Sequence, residues 1–346
     1  MRRFARLAGP NSPIRVAVAA CLMLGSACRG SPDLVAASVG DFDPNNPPQV
    51  ISLSGSIQLD DPYAIRAGQR VWIYSSGPGI SARSSADLQV WQDEKPVFAQ
   101  DPAWIANVLP AVTDLWSPCL AFFGGRYHLY YAASTFGSDH SCIGHAVSDS
   151  LGQGAPFIDQ GSVVCSNVSG AVDTFNAIDP SVYVETSGQP WLVFGSYGSG
   201  IKLIALDAVG GRLDSQMESL AARPDSNPAI QAPYLMKWQA YYYLFVSFDL
   251  CCVGIDSTHN IRVGRASSLQ GPYLDRDGID MMNGGGTLVL AGDSRWKGPG
   301  GNMVLADDGK RYNVYHAYDY SSNGASTLRI AELAFDNYGW PVSAGP

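Results

Sequence analysis
The chain reads as an all-β protein, a five-bladed β-propeller, on three observations. A segment of one design recurs five times: a proline, a short apolar run, a Gly-containing turn, then an aromatic-rich strand. With 37 Gly, 22 Pro and 17 Tyr, the composition suits many short strands joined by tight turns. No helical period of any length runs through the chain after its amino-terminal segment.

The recurring segments come in order. Asp61-Pro62-Tyr63-Ala64-Ile65 leads to Val71-Trp72-Ile73-Tyr74-Ser75, and Ser117-Pro118-Cys119-Leu120 leads to Tyr127-His128-Leu129-Tyr130-Tyr131. Asp179-Pro180-Ser181-Val182-Tyr183 leads to Trp191-Leu192-Val193-Phe194-Gly195-Ser196. Gln231-Ala232-Pro233-Tyr234-Leu235 precedes Tyr241-Tyr242-Tyr243-Leu244-Phe245, and Gly298-Pro299-Gly300-Gly301-Asn302 precedes Tyr312-Asn313-Val314-Tyr315-His316. The five prolines stand roughly 50 to 65 residues apart, a repeat spacing. One such unit cannot bury both its faces, so five should stack about a common axis.

Ahead of the repeats lies a different kind of sequence. Arg2, Arg3, Arg6 and Arg15 precede the apolar run Val16–Leu24, too short to remain as a membrane span, so residues 1–28 read as an export signal. Its end, Leu24-Gly25-Ser26-Ala27-Cys28, reads either as an ordinary cleavage site or as a bacterial lipoprotein box that would anchor the chain through Cys28. Secretion, or attachment at a bacterial surface, follows. Residues 29–49 are rich in Gly, Ser, Asp, Asn and Pro and read as a flexible linker. Residues 50–346 show no shift in composition and form one domain.

A 346-residue chain that is 46% hydrophobic and 15% charged has ample material for a core. Its formal charge of −9 disfavours nucleic acid and anionic membrane surfaces as partners. Among the cysteines, Cys142 and Cys165 flank a strand-turn-strand segment and suit a disulfide in an oxidising compartment. Cys251-Cys252 fit either a vicinal disulfide or two buried thiols, and Cys119 is left as a small buried hydrophobe. The Gly-rich runs 284–286 and 298–301 lack the helix and Lys-Ser/Thr of a phosphate cradle.

In a propeller, residues just before the repeat prolines converge from different blades into one cleft. Asp61 and Asp179 hold that position in the first and third repeats. Two converging carboxylates are what glycosidic cleavage needs, one to activate water and one to protonate the leaving oxygen. A lone Asp-Pro caps a turn as readily; two at equivalent places beside aromatic residues point to chemistry. Trp72, Trp116, Phe175, Trp191 and Tyr197 are the aromatic residues near the motifs, and most aromatics of any fold are core.

Phe175-Asn176-Ala177-Ile178-Asp179-Pro180-Ser181, Ser199–Ile204, Phe248-Asp249-Leu250-Cys251-Cys252, residues 256–265 and Gly284–Thr287 resemble glycoside hydrolase family 43, closest to the endo-α-1,5-L-arabinanases. The resemblance covers nearly everything after residue 50. It implies a five-bladed propeller and inverting hydrolysis of plant cell-wall arabinan or arabino-oligosaccharides; a monomer is the expected state. It implies Asp61 as general base and Asp179 as the carboxylate that orients the general acid and tunes its pKa. The family's acid is the glutamate of a Glu-Ala-Pro motif, and its place here is Gln231. The substrate contacts it implies are Trp116, Phe175, Asn176, Ser196 and Tyr197. Further departures are Asp60 for a histidine, Cys119 for an aspartate, Gly198 for a tryptophan and Gly301 for a histidine. No metal-ligating residues are assigned; the only cofactor left room for is a single calcium or sodium ion in the channel. Two functions follow: an arabinan hydrolase with an altered acid, or a sugar-binding propeller that has lost turnover.

Overall fold
The computed structural model describes residues 40–152, 156–168, 170–224 and 227–346. The expected export signal, Cys28 and the first half of the expected linker lie outside them. Five sheets follow one another along the chain, each with four strands in chain order, and Ser54–Gly55 adds a fifth, parallel strand at the outer edge of the first, beside Val90–Asp93. Blade 1 comprises Tyr63–Ala67, Arg70–Ser75, Ser81–Ser85 and Val90–Asp93; blade 2, Leu115–Phe123, Arg126–Ala133, Ser141–Ser148 and Ile158–Ser166. Blade 3 comprises Ser181–Val184, Pro190–Phe194, Ile201–Ala205 and Glu218–Ala221; blade 4, Ile230–Trp238, Tyr241–Phe248, Asn260–Ala266 and Thr287–Ala291. Blade 5 comprises Trp296–Asp307, Lys310–Asp319, Ala325–Phe335 and Pro341–Ser343. The first strand of every blade touches the first strands of both neighbours, so these five line the axis.

The turns are chemically specified. Gly124-Gly125 and Asp308-Gly309 are two-residue hairpin loops with positive φ at both positions (57° and 79°; 48° and 74°). That twist matches the twist of the strands it joins.

Period-two alternation explains why the second strands read as continuous apolar runs. In Tyr241–Phe248, Leu244 and Val246 pack into the core shared with blade 3, whereas Tyr243 and Phe245 pack into the core shared with blade 5. In blade 2, Leu129 and Tyr131 face blade 1, and Tyr130 faces blade 3. In blade 1, Trp72 and Tyr74 face blade 2, and Val71 and Ile73 face blade 5. Five inter-blade cores result, each fully buried side chain contributing about 1.5–3 kcal/mol. The ring closes where the segment ahead of blade 1 lies along the third strand of blade 5, with bridges Val50↔Ala331 and Gln58↔Thr327. The described end of the expected linker is tethered rather than free. Phe42 N–H donates to the Phe335 carbonyl, and Asp41 accepts from Phe335 N–H.

The fifth repeat needs a correction. The innermost strands of blades 2, 4 and 5 share one irregularity, with ladder pairing skipped between Trp116 and Cys119, Gln231 and Tyr234, and Gly300 and Met303. Superposing these bulges puts Asn302, not Pro299, in the place of Pro118 and Pro233. The proline pattern misled by three residues because Pro299 stands earlier in the same strand.

Cys142 and Cys165 are directly opposed on adjacent strands and disulfide-bonded; Cys251 and Cys252 form a vicinal disulfide; Cys119 is free and buried. Closing a loop of 23 residues stabilises by about 3 kcal/mol through the unfolded chain. The Cys142→Ser/Cys165→Ser variant should lose about that much in urea unfolding.

Candidate active site
The bulges build the site. The residue at the kink of each innermost strand carries positive φ: Asp61 50°, Ser117 44°, Asp179 56°, Ala232 50° and Gly301 59°. For a residue with a Cβ this conformation is costly, on the order of 1–3 kcal/mol, and it clusters where function over-determines the backbone. The kink withdraws each backbone N–H from the ladder. In four blades that N–H is taken up by the preceding blade. Asp61 N–H donates to His316 Nδ1 (3.1 Å), Ser117 N–H to Ser76 Oγ (2.9 Å), Ala232 N–H to Asp179 Oδ2 (3.1 Å) and Gly301 N–H to Ser247 Oγ (3.0 Å). The inner ring is thereby stitched blade to blade around the axis.

A cavity of about 40 Å³ opens at the centre of this ring, lined by Asp61, Ser117, Asp179, Ala232, Gly301 and the residues that follow them. Ser76 Oγ donates to Asp61 Oδ2 (2.6 Å) and accepts from Ser117 N–H, while Ser117 Oγ donates to Asp179 Oδ1 (2.7 Å). One continuous hydrogen-bonded path thus joins the two carboxylates. Burial pushes the Asp179 carboxyl up to about 7, the Asp61 charge pushes the same way, and the bonds from Ser117 and Ala232 oppose both. Asp61 is also raised, first by burial; His316 opposes this, Asp60 adds to it, and Ser76 and Ser117 lower it.

Since the Asp179 pKa lies above that of the unfolded carboxyl, near 3.9, its stabilising contribution is complete below about pH 4. It is lost as pH rises towards 7. Asp179→Asn removes this loss. Its melting temperature should match the native chain below pH 4, exceed it increasingly between pH 4 and 7, and hold a constant lead above. A constant difference across that range would refute the assignment.

Gln231 lies just before the blade 4 kink and is buried. Its Oε1 accepts from Ser196 Oγ (3.3 Å); its Nε2 donates to the Asp249 carbonyl (3.3 Å) and meets His259 Nε2 at 2.5 Å. Burial, then the charge of His316, depress His259 to about 3, so it is neutral and its Nε2 lone pair accepts the amide proton.

Of the sequence-predicted contacts, Ser196 is in direct contact with Gln231. Trp116 sits half-buried at the blade 2 bulge, equivalent to Gln231 of blade 4. Tyr197 is exposed at φ 53°, its N–H held by the Ile230 carbonyl. Phe175 packs edge-on against Phe194 and is partly core; Asn176 bonds weakly to the Ser138 carbonyl and leaves its buried Oδ1 unpartnered. Trp72 and Trp191 belong to inter-blade cores, Trp191 bonded to Glu185. Sequence reasoning missed Ser76, Ser117 and His259. Ser117 was findable, since it stands before a repeat proline as Asp61 and Asp179 do.

At Gly198 and Gly301, expected to replace larger residues, little room is left. A Cβ at Gly198 would stand 2.4 Å from the Thr174 carbonyl oxygen, so that loop has no place for a large side chain. A Cβ at Gly301 would lie 3.1 Å from His316 Cε1 and 3.2 Å from Asp61 Oδ1. Cys119 Sγ accepts from Val182 N–H, and burial pushes its thiol up to about 12. Among the described residues no three His, Cys, Asp or Glu side chains are grouped to hold a metal.

A five-bladed propeller with two coupled carboxylates at the strand-start end of its central channel defines a class, the propeller glycosidases. The sequence model of the glycosyl hydrolases family 43 matches residues 55–341, and the chain belongs to that family. It is 40% identical over 288 residues to the extracellular endo-α-(1→5)-L-arabinanase 1 of Bacillus subtilis, covering 82% of this chain and 87% of that protein. To the extracellular exo-α-(1→5)-L-arabinofuranosidase of Cellvibrio japonicus it is 37% identical over 304 residues, covering 83% and 87%. The Cellvibrio cellulosa α-L-arabinanase complexed with arabinohexaose superposes with a TM-score of 0.80 at 35% identity, over 84% of this chain and 96% of that one.

Proposed function
We propose that the chain is an exported glycosidase directed at α-1,5-linked L-arabinan, with a catalytic site complete except for its proton donor. The observation that carries the reading is the Asp61–Ser76–Ser117–Asp179 path at the floor of the cleft, with Gln231 one residue before the kink that binds Asp179. Asp61 acts as general base, taking a proton from the water that attacks the anomeric carbon. His316 and Ser76 favour its ionised form. Asp179 fixes the backbone that carries residue 231 through Ala232 N–H, and its proton occupancy sets the local charge. Gln231 keeps the shape of the acid, with its amide hydrogens held by the Asp249 carbonyl and His259. An amide has no proton to give an alkoxide leaving group, which removes about 10²–10⁴-fold in rate.

The buried amide also favours a second reading, in which the chain captures arabino-oligosaccharides without turning them over. Secretion is supported by the two relatives named extracellular. The test is product release from linear α-1,5-arabinan and from β-xylan by the native chain and by Gln231→Glu. Release from arabinan alone supports the substrate assignment, and release from xylan alone or from neither refutes it. Arabinan cleavage confined to the variant supports the capturing reading for the native chain.

A further inference from the structure
A second cavity, of about 360 Å³, lies between the outer strands of blade 4 and the start of blade 5. Its walls include His259, Asn260, Arg262, Leu288, Asp293 and Lys297. His259 stands between this cavity and the cleft, because its Nε2 meets Gln231. Its Nδ1 is buried without a hydrogen-bond partner, and with Nε2 accepting from the amide that nitrogen carries the ring proton.

The chain has a formal charge of −9, yet two cations line this cavity and no carboxylate pairs with either. Arg262 donates to Asn260 Oδ1 (2.8 Å) and to the Gly286 carbonyl (2.9 Å), and Lys297 Nζ to the Asp293 carbonyl (2.8 Å), all neutral acceptors. Among the described residues neither takes part in an ion pair. The carboxylates nearby are committed elsewhere. Asp249 accepts from Arg223 and Asn260, Asp275 from the N–H groups of Ile279 and Gly286, and Asp293 Oδ1 from those of Arg295 and Trp296.

A concave site with an excess of one charge focuses its potential on a small ligand of the opposite sign. The Arg262 guanidinium lies over the Phe248 ring, 5.2 Å from its centroid, so its planar fork is held in place before anything binds. Leu288, 51% exposed, adds an apolar wall that a bare inorganic anion could not use and the C–H face of a pyranose could. The size is that of a small-molecule site. We propose that this cavity binds an acidic sugar, a hexuronate. Its carboxylate pairs with Arg262 and Lys297, and its ring lies against Leu288. The site is distinct from the carboxylate-lined cavity on the axis, and the inference does not depend on the arabinan reading.

The experiment is calorimetric titration of the full chain with glucuronate and galacturonate, with glucose and galactose as their neutral counterparts, and with inorganic phosphate. At least one uronate should bind about tenfold or more tightly than its neutral counterpart, and added salt should weaken it. Lys297→Met, at a side chain bonded only to a carbonyl of its own turn, should weaken that uronate about five- to tenfold and leave the melting temperature unchanged. Lys297→Arg, which keeps the charge, should stay within about threefold of the native chain. A native chain that binds neither uronate overturns the proposal. So does uronate binding that Lys297→Met leaves intact, which would place the ligand elsewhere. Neutral sugars binding as tightly as the acids would remove the role of the two cations. Phosphate binding as tightly as the uronate would remove the sugar and leave a general anion site. None of these outcomes involves arabinan, so the proposal can fail while the arabinan reading stands.

Discussion

Gln231→Glu is expected to raise the rate of arabinan hydrolysis by about two to four orders of magnitude, the usual worth of a positioned general acid. The surroundings of residue 231 favour this outcome beyond the mere supply of a carboxyl group. The side-chain nitrogen faces the Asp249 carbonyl oxygen, which only accepts, and the lone pair of a buried imidazole held neutral. An ionised glutamate pointing there would meet the lone pairs of the Asp249 carbonyl, and only the imidazole tautomer with its proton on Nε2 would offer it a donor. The side chain is also buried, which disfavours charge again. Glutamate in this place should therefore hold its proton near neutral pH, as an acid catalyst must. Rates should be compared on arabinan and on an aryl arabinofuranoside whose phenolate leaves without help. The variant's gain should be large on the polysaccharide and small on the aryl substrate. Equal gains on both would mean that residue 231 acts through binding or shape, and no gain on arabinan would mean that another group already delivers the proton.

How far this site could be read in advance depends on the range of each contact. The innermost strands were legible because each carries its own local signal, a proline at a kink followed by an apolar run. That Asp61 and Asp179 converge on one cavity was legible through the equivalence of their repeat positions, and Gln231 drew notice through its Ala-Pro neighbours. The fifth repeat was misplaced because Asn302 fills the position held by proline elsewhere, while Pro299 offered a local decoy in the same strand. What escaped is of another kind. Ser76, His316 and Ser247 matter because a kinked N–H on the following blade needs an acceptor, and no local pattern marks an acceptor across a blade interface. His259 escaped for a related reason. Its Nε2 engages Gln231 28 residues away, and in sequence it is only one polar residue in a loop. The pairing of Cys251 with Cys252 stood as one of two alternatives until the backbone around them was known.

Asp61→Asn should be the most damaging single change in the chain carrying Gln231→Glu, lowering turnover by about 10²–10⁴-fold while leaving arabinohexaose affinity within about threefold. The amide is isosteric, so its oxygen can still accept from Ser76 Oγ, and the backbone N–H still donates to His316. What disappears is the lone pair that takes a proton from the attacking water. A second readout separates this from general damage to the cleft. The Asp61 charge is, after burial, the main cause of the raised Asp179 pKa. Removing it should move the Asp179 titration below 7 and narrow the pH range over which Asp179 costs stability. The melting-temperature difference between Asp61→Asn and Asp61→Asn/Asp179→Asn should therefore level off at lower pH than the difference between native chain and Asp179→Asn. A loss of turnover with no such displacement would make Asp61 a base electrostatically independent of Asp179. A displacement with turnover intact would remove the base assignment and leave Asp61 as a tuner of its neighbour. The coupling through Ser76 and Ser117 predicts both effects together, because the same short path that holds the two carboxylates in one cleft keeps their charges within reach of each other.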